Sequence, residues 1–214
     1  SRVEAVTINY GNVGFDQMVE NALYTIEVAG FGGQVPVYEV AGANQHVDHS
    51  FVDRSADLIR GADVVIAQGE VPASGTARAA ALTTGRFILN LAPVIELPVE
   101  VMRTADPLVV NEHEGELALA MLRPGQPDVA ELARAEVVRA LVEEGIASVV
   151  MTLGADGALV LDRDGELVPV PAAPITRVDS TGAGDAFVGA LAARLADGDT
   201  LVDAARYASR VGAF

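Results

Sequence analysis

A stretch of small residues near the C-terminal end of the sequence has the composition of an anion-binding turn. It reads Asp179-Ser180-Thr181-Gly182-Ala183-Gly184-Asp185-Ala186-Phe187, and an apolar helical pattern follows it over residues 186–196. Small residues allow consecutive backbone N–H groups to point into one concavity, and a helix N-terminus adds roughly half a positive charge. The turn is therefore predicted to hold an anion such as a phosphate group.

Asp185 is a carboxylate at the start of that helix, where it has two interpretations. Beside a phosphate site, it can accept the proton of a substrate hydroxyl while the hydroxyl oxygen attacks phosphorus. It can equally cap the helix, in which case the glycines form a tight connection between a strand and a helix. The stretch alone leaves both interpretations open.

Asn111 and Glu114 form a second candidate pair, because they lie three residues apart after a strand-like run over residues 107–110. An amide and a carboxylate in this place could serve a hydrated Mg²⁺, which keeps several of its waters when it binds to proteins. The same spacing is that of a capping box, in which Asn111 caps a helix and Glu114 completes the cap. Spacing does not separate these alternatives.

Charge and composition exclude several classes of site. The chain has 214 residues and a net charge of −16, and all 14 of its basic residues are Arg. Without Lys there is no Schiff-base chemistry and no Walker-type phosphate loop, so a phosphate site must use backbone amides, Arg or metal. The chain also has no Cys, which excludes disulfides, thiolate catalysis and Cys-ligated metals. The acidic balance argues against nucleic acid as a partner.

The sequence has no feature of a targeting or membrane segment. It has no signal-like N-terminal pattern and no uninterrupted apolar run approaching 18 residues. We therefore expect a cytoplasmic protein that does not bind membranes. His46 and His49 lie near Asp48 and Asp53 and could imitate a metal cluster, but we interpret them as surface histidines.

Strand-like and helical patterns alternate along the chain, which predicts an α/β fold. Alternation of this kind favours a doubly wound, mostly parallel sheet with helices on both faces, whose ligands bind beyond the carboxyl ends of the strands. An Asp-Gly turn at residues 163–165 predicts that the strands on either side of it form a hairpin. The predicted strands cover residues 3–9, 35–40, 62–67, 87–91, 107–110, 148–152, 158–162 and 166–170, and the helices cover 16–29, 52–60, 114–121, 129–144, 186–196 and 201–211.

The residues 179–187 closely resemble the signature DTTGAGDxF of the ribokinase family of carbohydrate kinases. Segments 42–44, 68–72, 89–93, 111–114 and 152–158 resemble the same family in the same order. The resemblance covers about residues 40–214 and implies a ribokinase-like ATP-binding and catalytic core over residues 39–214. Compared with the family, both ends of the fold are short, so we expect a core that lacks the sugar-binding N-terminal part and lid.

The resemblance implies a role for each matching residue. Asp185 would be the catalytic base and touch the substrate, and the amides of Gly182, Ala183 and Gly184 would form the anion hole. Glu70 matches a carboxylate that binds sugar hydroxyls. Asn111 and Glu114 match the family's NxxE motif, which organises water around Mg²⁺ and the nucleotide phosphates.

The remaining matches concern the nucleotide and a cation. The loop Thr152-Leu153-Gly154-Ala155-Asp156-Gly157 resembles the family's nucleotide-lining loop, and with Asn111 and Gly184 it would bind ATP. Ser209 falls where the family's C-terminal helix approaches the adenine ring. Asp179 and Thr181 match positions that hold a monovalent cation in many members, which would make K⁺ an activator beside ATP and Mg²⁺.

Residues 1–38 resemble a different family, the inosine–uridine nucleoside hydrolases. The resemblance rests on the strings over residues 5–13, 20–23, 27–30 and 35–38, and it would make Asn12 a nucleoside contact. The calcium-binding Asp cluster of that family has no counterpart here, so hydrolysis by this segment alone is not expected. We interpret residues 1–38 as a βαβ unit packed on the sheet, in a chimera, a fragment of a hydrolase–kinase fusion or a truncated family member.

Together these features predict an ATP-dependent carbohydrate kinase that phosphorylates a hydroxyl of ribose or of a nucleoside. The alternatives are a catalytically impaired nucleotide-binding remnant and one part of a nucleoside hydrolase–kinase fusion. The expected partner is a small-molecule sugar, and a homodimer is a possible assembly.

Overall fold

The computed structural model describes residues 46–125, 129, 131–173 and 182–212 together with the backbone of two short strands. The short strands, β1 (Val6–Ile8) and β2 (Val37–Glu39), pair in parallel with Val6 opposite Val37. Asn12, Asp179, Thr181 and the helix predicted over residues 16–29 lie outside the described residues.

A six-stranded sheet forms the centre of the described structure, and its strands follow one another in chain order. Strands β3 to β6 pair in parallel, whereas β7 pairs antiparallel with both β6 and β8. The strands are β3 (Val64–Gln68), β4 (Arg86–Asn90), β5 (Leu108–Asn111), β6 (Ser148–Thr152), β7 (Ala158–Asp162) and β8 (Val168–Val170).

Helices connect the strands and cover the sheet. A single 3₁₀ turn, Gly154–Asp156, joins β6 to β7. The helices of the described residues are α1 (His49–Arg54), α2 (Ala56–Gly61), α3 (Ala73–Leu82), α4 (Val99–Met102), α5 (Glu112–Leu122), α6 (Arg134–Glu143), α7 (Ala183–Ala196) and α8 (Leu201–Val211). None of these helices is long and apolar enough to cross a membrane.

Two apolar cores lie on opposite faces of the sheet. On one face Leu89, Leu108 and Met151 pack with residues of α3 to α6, among them Leu119 and Leu141. On the other face the alternate strand residues, including Ile88, Val109 and Val150, pack with α7 and α8. Strands covered on both faces are the reason for their continuously apolar sequences. The predicted α/β fold with a mostly parallel sheet and helices on both faces is confirmed.

The predicted hairpin is also confirmed. Strands β7 and β8 pair antiparallel with Ala158 opposite Val170, and Gly165 N–H donates to the carbonyl oxygen of Asp162 at 3.0 Å in the connecting turn. Strand β8 begins at Val168, two residues later than predicted, so the loop is longer than the Asp-Gly turn alone.

Helix α3 was not predicted, and the single helix predicted over residues 52–60 is divided into α1 and α2 at Ser55. Alanines and Gly75 give α3 a weak apolar pattern. Gly75 is buried, and a methyl group at this position would overlap the carbonyl oxygen of Val47. The glycine, which reads as a helix breaker, is therefore required by close packing between α3 and the segment before α1.

Candidate functional site

Four polar side chains end the four parallel strands at one edge of the sheet. Gln68 ends β3, Asn90 ends β4, Asn111 ends β5 and Thr152 ends β6. Gln68 pairs with Asn90, and Asn111 pairs with Thr152. In sheets of this kind the crevice beyond the carboxyl strand ends is where ligands bind.

A cavity of about 210 Å³ lies at this edge and brings together residues that are far apart in the sequence. Its lining combines the strand ends with the beginnings of α5 and α7. The lining residues are Asn90, Ala92, Val109, Val110, Asn111, Glu114, Thr152, Gly182, Gly184, Asp185 and Val188.

The N-terminus of α7 faces this cavity with backbone amides. Gly182 is the N-cap with φ of +77°, a conformation that favours glycine, and the first helical hydrogen bond runs from Ala186 N–H to the carbonyl oxygen of Gly182 at 2.9 Å. The amides of residues 182–185 therefore precede the helical hydrogen-bond ladder. No side chain of the described residues caps this helix. A methyl group added to Gly184 would meet open space.

Packing against α8 fixes the position of that helix start. Phe187, Leu191 and Ala208 belong to the same buried cluster. At the end of α8, a methyl group on Gly212 would lie 2.9 Å from the carbonyl oxygen of Ala183. The amides are therefore presented by a packed pair of helices.

Asp185 lies exposed in the first turn of α7, at the third helical position. Its Oδ1 accepts a hydrogen bond of 3.1 Å from Nε2 of Gln68. The sequence-based alternative, in which Asp185 serves as the helix cap, does not describe this geometry, because Gly182 occupies the N-cap. Sequence reasoning missed Gln68, since 117 residues separate the two partners.

Asn111 and Glu114 do form the capping box. Oδ1 of Asn111 accepts from the amide of Glu114 at 2.9 Å, and Oε2 of Glu114 accepts from the amide of Asn111 at 2.7 Å. The same two residues line the cavity. The cap occupies one oxygen of each side chain, so Oε1 of Glu114 and Nδ2 of Asn111 are left for other partners. The structural interpretation is therefore correct and does not exclude a ligand role.

The partly buried position of Glu114 affects its protonation. Burial raises the pKa of the Glu114 carboxyl above its ordinary value, while the hydrogen bond from the Asn111 amide and the nearby His113 act in the opposite direction. A cation near Oε1 would favour the charged form.

The loop between β6 and β7 borders the strand end at Thr152. Leu153 N–H donates to the carbonyl oxygen of Gly157 at 2.7 Å and closes the turn. Gly157 has φ of +93°, and a methyl group there would overlap the carbonyl oxygen of Val170 in β8. Gly154 also has positive φ, +57°, but a methyl group there would meet open space. Gly157 is thus required by the hairpin itself, whereas Gly154 is exposed.

Arg134, at the start of α6, links this loop to the start of α5. Its Nη1 contacts Oδ2 of Asp156 at 3.2 Å, and its Nε pairs with Oε1 of Glu112. These side chains are about half exposed, so the pairs contribute little to the free energy of unfolding. They do connect the two loops that meet at the strand ends.

The cavity has no preformed metal centre. Within the described ranges no three His, Asp or Glu side chains are grouped closely enough to hold a metal ion. The donor set around Glu114 fits a cation that brings its other ligands as water and phosphate oxygens, which is the usual mode of Mg²⁺.

Comparison with known proteins assigns the chain to a family. The family model of the pfkB family carbohydrate kinases matches residues 3–214. The chain belongs to the pfkB family. Among curated relatives, it is 32% identical over 183 residues to a bifunctional ribokinase/ribose-5-phosphate isomerase A of Fructilactobacillus sanfranciscensis, covering 84% of this chain and 32% of the relative. It is 32% identical over 185 residues to the ribokinase of Staphylococcus aureus, covering 83% and 58%.

A solved structure supports the fold assignment. The ribokinase of Thermotoga maritima superimposes with a TM-score of 0.74 at 24% identity, over 98% of this chain and 73% of that one. The pfkB-family chain thus spans less than two thirds of the length of the curated relatives named above.

The structure brings together some of the residues predicted for a pfkB-family site and leaves others apart. Asn111, Glu114, Thr152, Gly182, Gly184 and Asp185 line one cavity, and Ala183 lies between two of them at the start of α7. Glu70 is exposed in the turn after β3, and residues 153–157 form the loop beyond Thr152. Neither Glu70 nor this loop is among the residues that line the cavity.

Ser209 lies apart from the cavity. It is 9% exposed on α8, and its Oγ has no hydrogen-bond partner among the described residues. Its neighbours Ala208 and Val211 belong to the core between the helices and the sheet. The geometry therefore favours a packing position, and its predicted adenine contact stays a prediction.

Proposed function

We propose that this chain is an ATP-dependent carbohydrate kinase of ribokinase type, which transfers the γ-phosphoryl group of MgATP to a hydroxyl of ribose or of a nucleoside. One observation carries the proposal. A carboxylate, Asp185, and the residues whose amides precede the hydrogen-bond ladder of α7 line the same cavity as Asn111, Glu114 and Thr152. A base and an anion site side by side are what phosphoryl transfer to an alcohol requires.

In the proposed reaction, Asp185 accepts the proton of the substrate hydroxyl as the hydroxyl oxygen forms its bond to the γ-phosphorus. The bond between that phosphorus and the β–γ bridging oxygen breaks, and ADP leaves with the electron pair. The amides of Gly182, Ala183 and Gly184 hold the oxygens of the transferring group, and the dipole of α7 favours their negative charge. No Lys is needed for these steps, in agreement with a chain that has none.

The chemistry of the capping pair fits a metal that arrives with the nucleotide. Glu114 keeps Oε1 free of the cap and would hold Mg²⁺ through water, with Asn111 beside it. Bound Mg²⁺ would neutralise charge on the β- and γ-phosphates. What the chain itself contributes is a carboxylate held through Oε2 by the hydrogen bond from the Asn111 amide, which is one half of the capping box.

The other ligand roles in the proposal come from the family resemblance. Thr152 and residues 153–157 would line the nucleotide, Ser209 would approach the adenine ring, and Glu70 would contact the sugar. Asp179 and Thr181 would hold K⁺ as an activator. A homodimer and a cytoplasmic location are likewise predictions, and sedimentation analysis tests the first of them.

The proposal is tested by ADP release from MgATP in the presence of single acceptors. We expect saturable release with D-ribose, 2-deoxy-D-ribose or a nucleoside, and no release with an acceptor that lacks a primary hydroxyl. ATP binding in calorimetry without acceptor-dependent release would instead support the nucleotide-binding remnant. Repeating the assay in K⁺ and in Na⁺ salts tests the monovalent cation.

The assignment of residues 1–38 as a hydrolase-like segment stays a hypothesis. The division of the chain into residues 1–38 and 39–214 does so too. The family-model match begins at residue 3 and so includes the segment. A nucleoside site at Asn12 predicts ribose release from inosine that depends on Ca²⁺. Equal background rates with Ca²⁺ and with a chelator would refute it.

A further inference from the structure

Gln68 contacts the side chain of Asp185 from the end of a strand. It ends β3, and its Nε2 donates to Oδ1 of Asp185 at 3.1 Å across 117 residues of sequence. In the described part of the chain no other side chain is hydrogen-bonded to that carboxylate. We propose that Gln68 is a positioning residue for Asp185, an inference that rests on the proposed kinase function.

The chemistry of the contact supports this assignment. A carboxylate offers two oxygens, and one amide donor on Oδ1 fixes the rotamer while it leaves Oδ2 for the substrate hydroxyl. Asp185 is exposed in the first turn of its helix, so packing does not fix its side chain. A donor on a neighbouring strand supplies the restraint that packing does not.

Strand pairing and close packing restrain the backbone at Gln68. It is paired with Asn90 of β4, and the next residue, Gly69, donates its N–H to the carbonyl oxygen of Asn90 at 3.1 Å. Gly69 is buried, and a methyl group there would overlap the carbonyl oxygen of Pro93. The end of β3 is thus packed against the segment after β4, which restrains the backbone that carries the Gln68 side chain.

A positioning role and a purely structural tie between β3 and α7 predict different kinetics. A structural tie would affect all substrates and the stability together. A positioning role acts through Asp185, so removing Gln68 costs nothing once Asp185 is gone. A double-mutant cycle with Asp185→Ala tests whether Gln68 acts through Asp185, and the free energy of unfolding of the Gln68 variants separates the two roles, because it falls for a structural tie and stays near the wild-type value for a positioning role.

The test uses Gln68→Met, which keeps the length of the side chain and removes the donor, and Gln68→Asn, which keeps the amide on a shorter chain. Both variants are expected to lower kcat about 10-fold or more, the size of effect that a hydrogen bond to a charged group supports. The KM for ATP should change less than about twofold, since Gln68 is not part of the proposed nucleotide contacts. The double variant with Asp185→Ala should be no slower than Asp185→Ala alone.

A third variant, Gln68→Glu, provides a further test, because it replaces the amide donor with a second carboxylate beside Asp185. Two carboxylates within hydrogen-bond reach share a proton, so the acid limb of the kcat/KM profile should move to higher pH. Among the described residues, Glu114 is the other titratable side chain that lines the cavity, and it is unchanged in this variant. Ala120→Glu is the matched control, since it adds the same charge at an exposed position of α5, roughly 13 Å along the helix from Asn111.

A readout without turnover keeps the inference separate from the kinase proposal. In NMR spectra, Asp185→Ala should shift the side-chain amide signals of Gln68 and speed their exchange with water. Unchanged signals, or Gln68→Met with wild-type kcat, would overturn the inference. Shifted signals in a protein that lacks acceptor-dependent ADP release would refute the kinase proposal and leave the contact supported.

Discussion

Glu114 shows at the scale of one residue that a structural role is compatible with the proposed ligand role. Its Oε2 closes the cap of α5, while its carboxyl group lines the cavity. Burial raises the pKa of this carboxyl, which means that the folded protein holds it in a place that disfavours charge. In the proposed function a cation near Oε1 would offset this cost.

Glu114→Gln separates the two roles, because Gln also completes a capping box. In the wild-type protein the raised pKa lowers the free energy of unfolding as the pH rises through the interval above the ordinary value of 4.5, since the folded state binds more protons there. Urea unfolding at several pH values should show this decline weakened in the variant, whereas Mg²⁺-dependent turnover should fall. Glu116→Gln on the same helix is the control, and equal turnover in both variants would contradict a ligand role.

Gly184 gives a second prediction at this scale. An added methyl group meets open space, and Ala is the better helix former, so Gly184→Ala should keep or raise stability by up to about 1 kcal/mol. The methyl group would occupy the cavity in front of the α7 amides and should lower ADP release at least about 10-fold, because removing one anion-hole interaction has that effect or more. Gly61→Ala, also open in space and in a helix, should likewise keep or raise stability but leave ADP release unchanged. Wild-type turnover of Gly184→Ala would argue against an anion site here.

At the scale of elements, the connection between β6 and β7 contains one glycine that the hairpin requires, Gly157, and one that is exposed, Gly154. Gly157→Ala meets both a positive φ and the carbonyl oxygen of Val170, so we expect a loss of roughly 1–3 kcal/mol from the backbone conformation alone. Gly154→Ala meets open space and should cost less. Denaturant unfolding of the two variants measures the difference, and equal midpoints would show that the hairpin does not depend on Gly157.

The sequence predicts elements well where burial determines the residue types. Strands β4 to β7 are largely buried apolar runs because helices cover both faces of the sheet there, and this pattern needs no knowledge of distant contacts. Helix α3 was missed because Gly75 is selected by its contact with Val47, which the local sequence does not show. Gln68 was missed as a site residue for the same reason, since its partner lies 117 residues away.

At the scale of the whole molecule, the sheet connects the predicted residues. Asn111, Thr152 and Asp185 were predicted from separate motifs, and the parallel strands bring them to one edge, as the topology requires. The division between residues 1–38 and 39–214 could not be tested in this way, because most of the first segment lies outside the described residues. The chain has a net charge of −16, so at the proposed phosphate site the local amides and a metal would have to supply the attraction.

In the proposed function Asp185 is the base of the phosphoryl transfer. The most direct measurement is D-ribose-dependent ADP release by the wild-type chain and by Asp185→Asn, which keeps an oxygen for the Gln68 amide and removes the base. We expect kcat to fall at least about 10²-fold while ATP still binds in calorimetry. Turnover equal to that of the wild-type protein would contradict the claim.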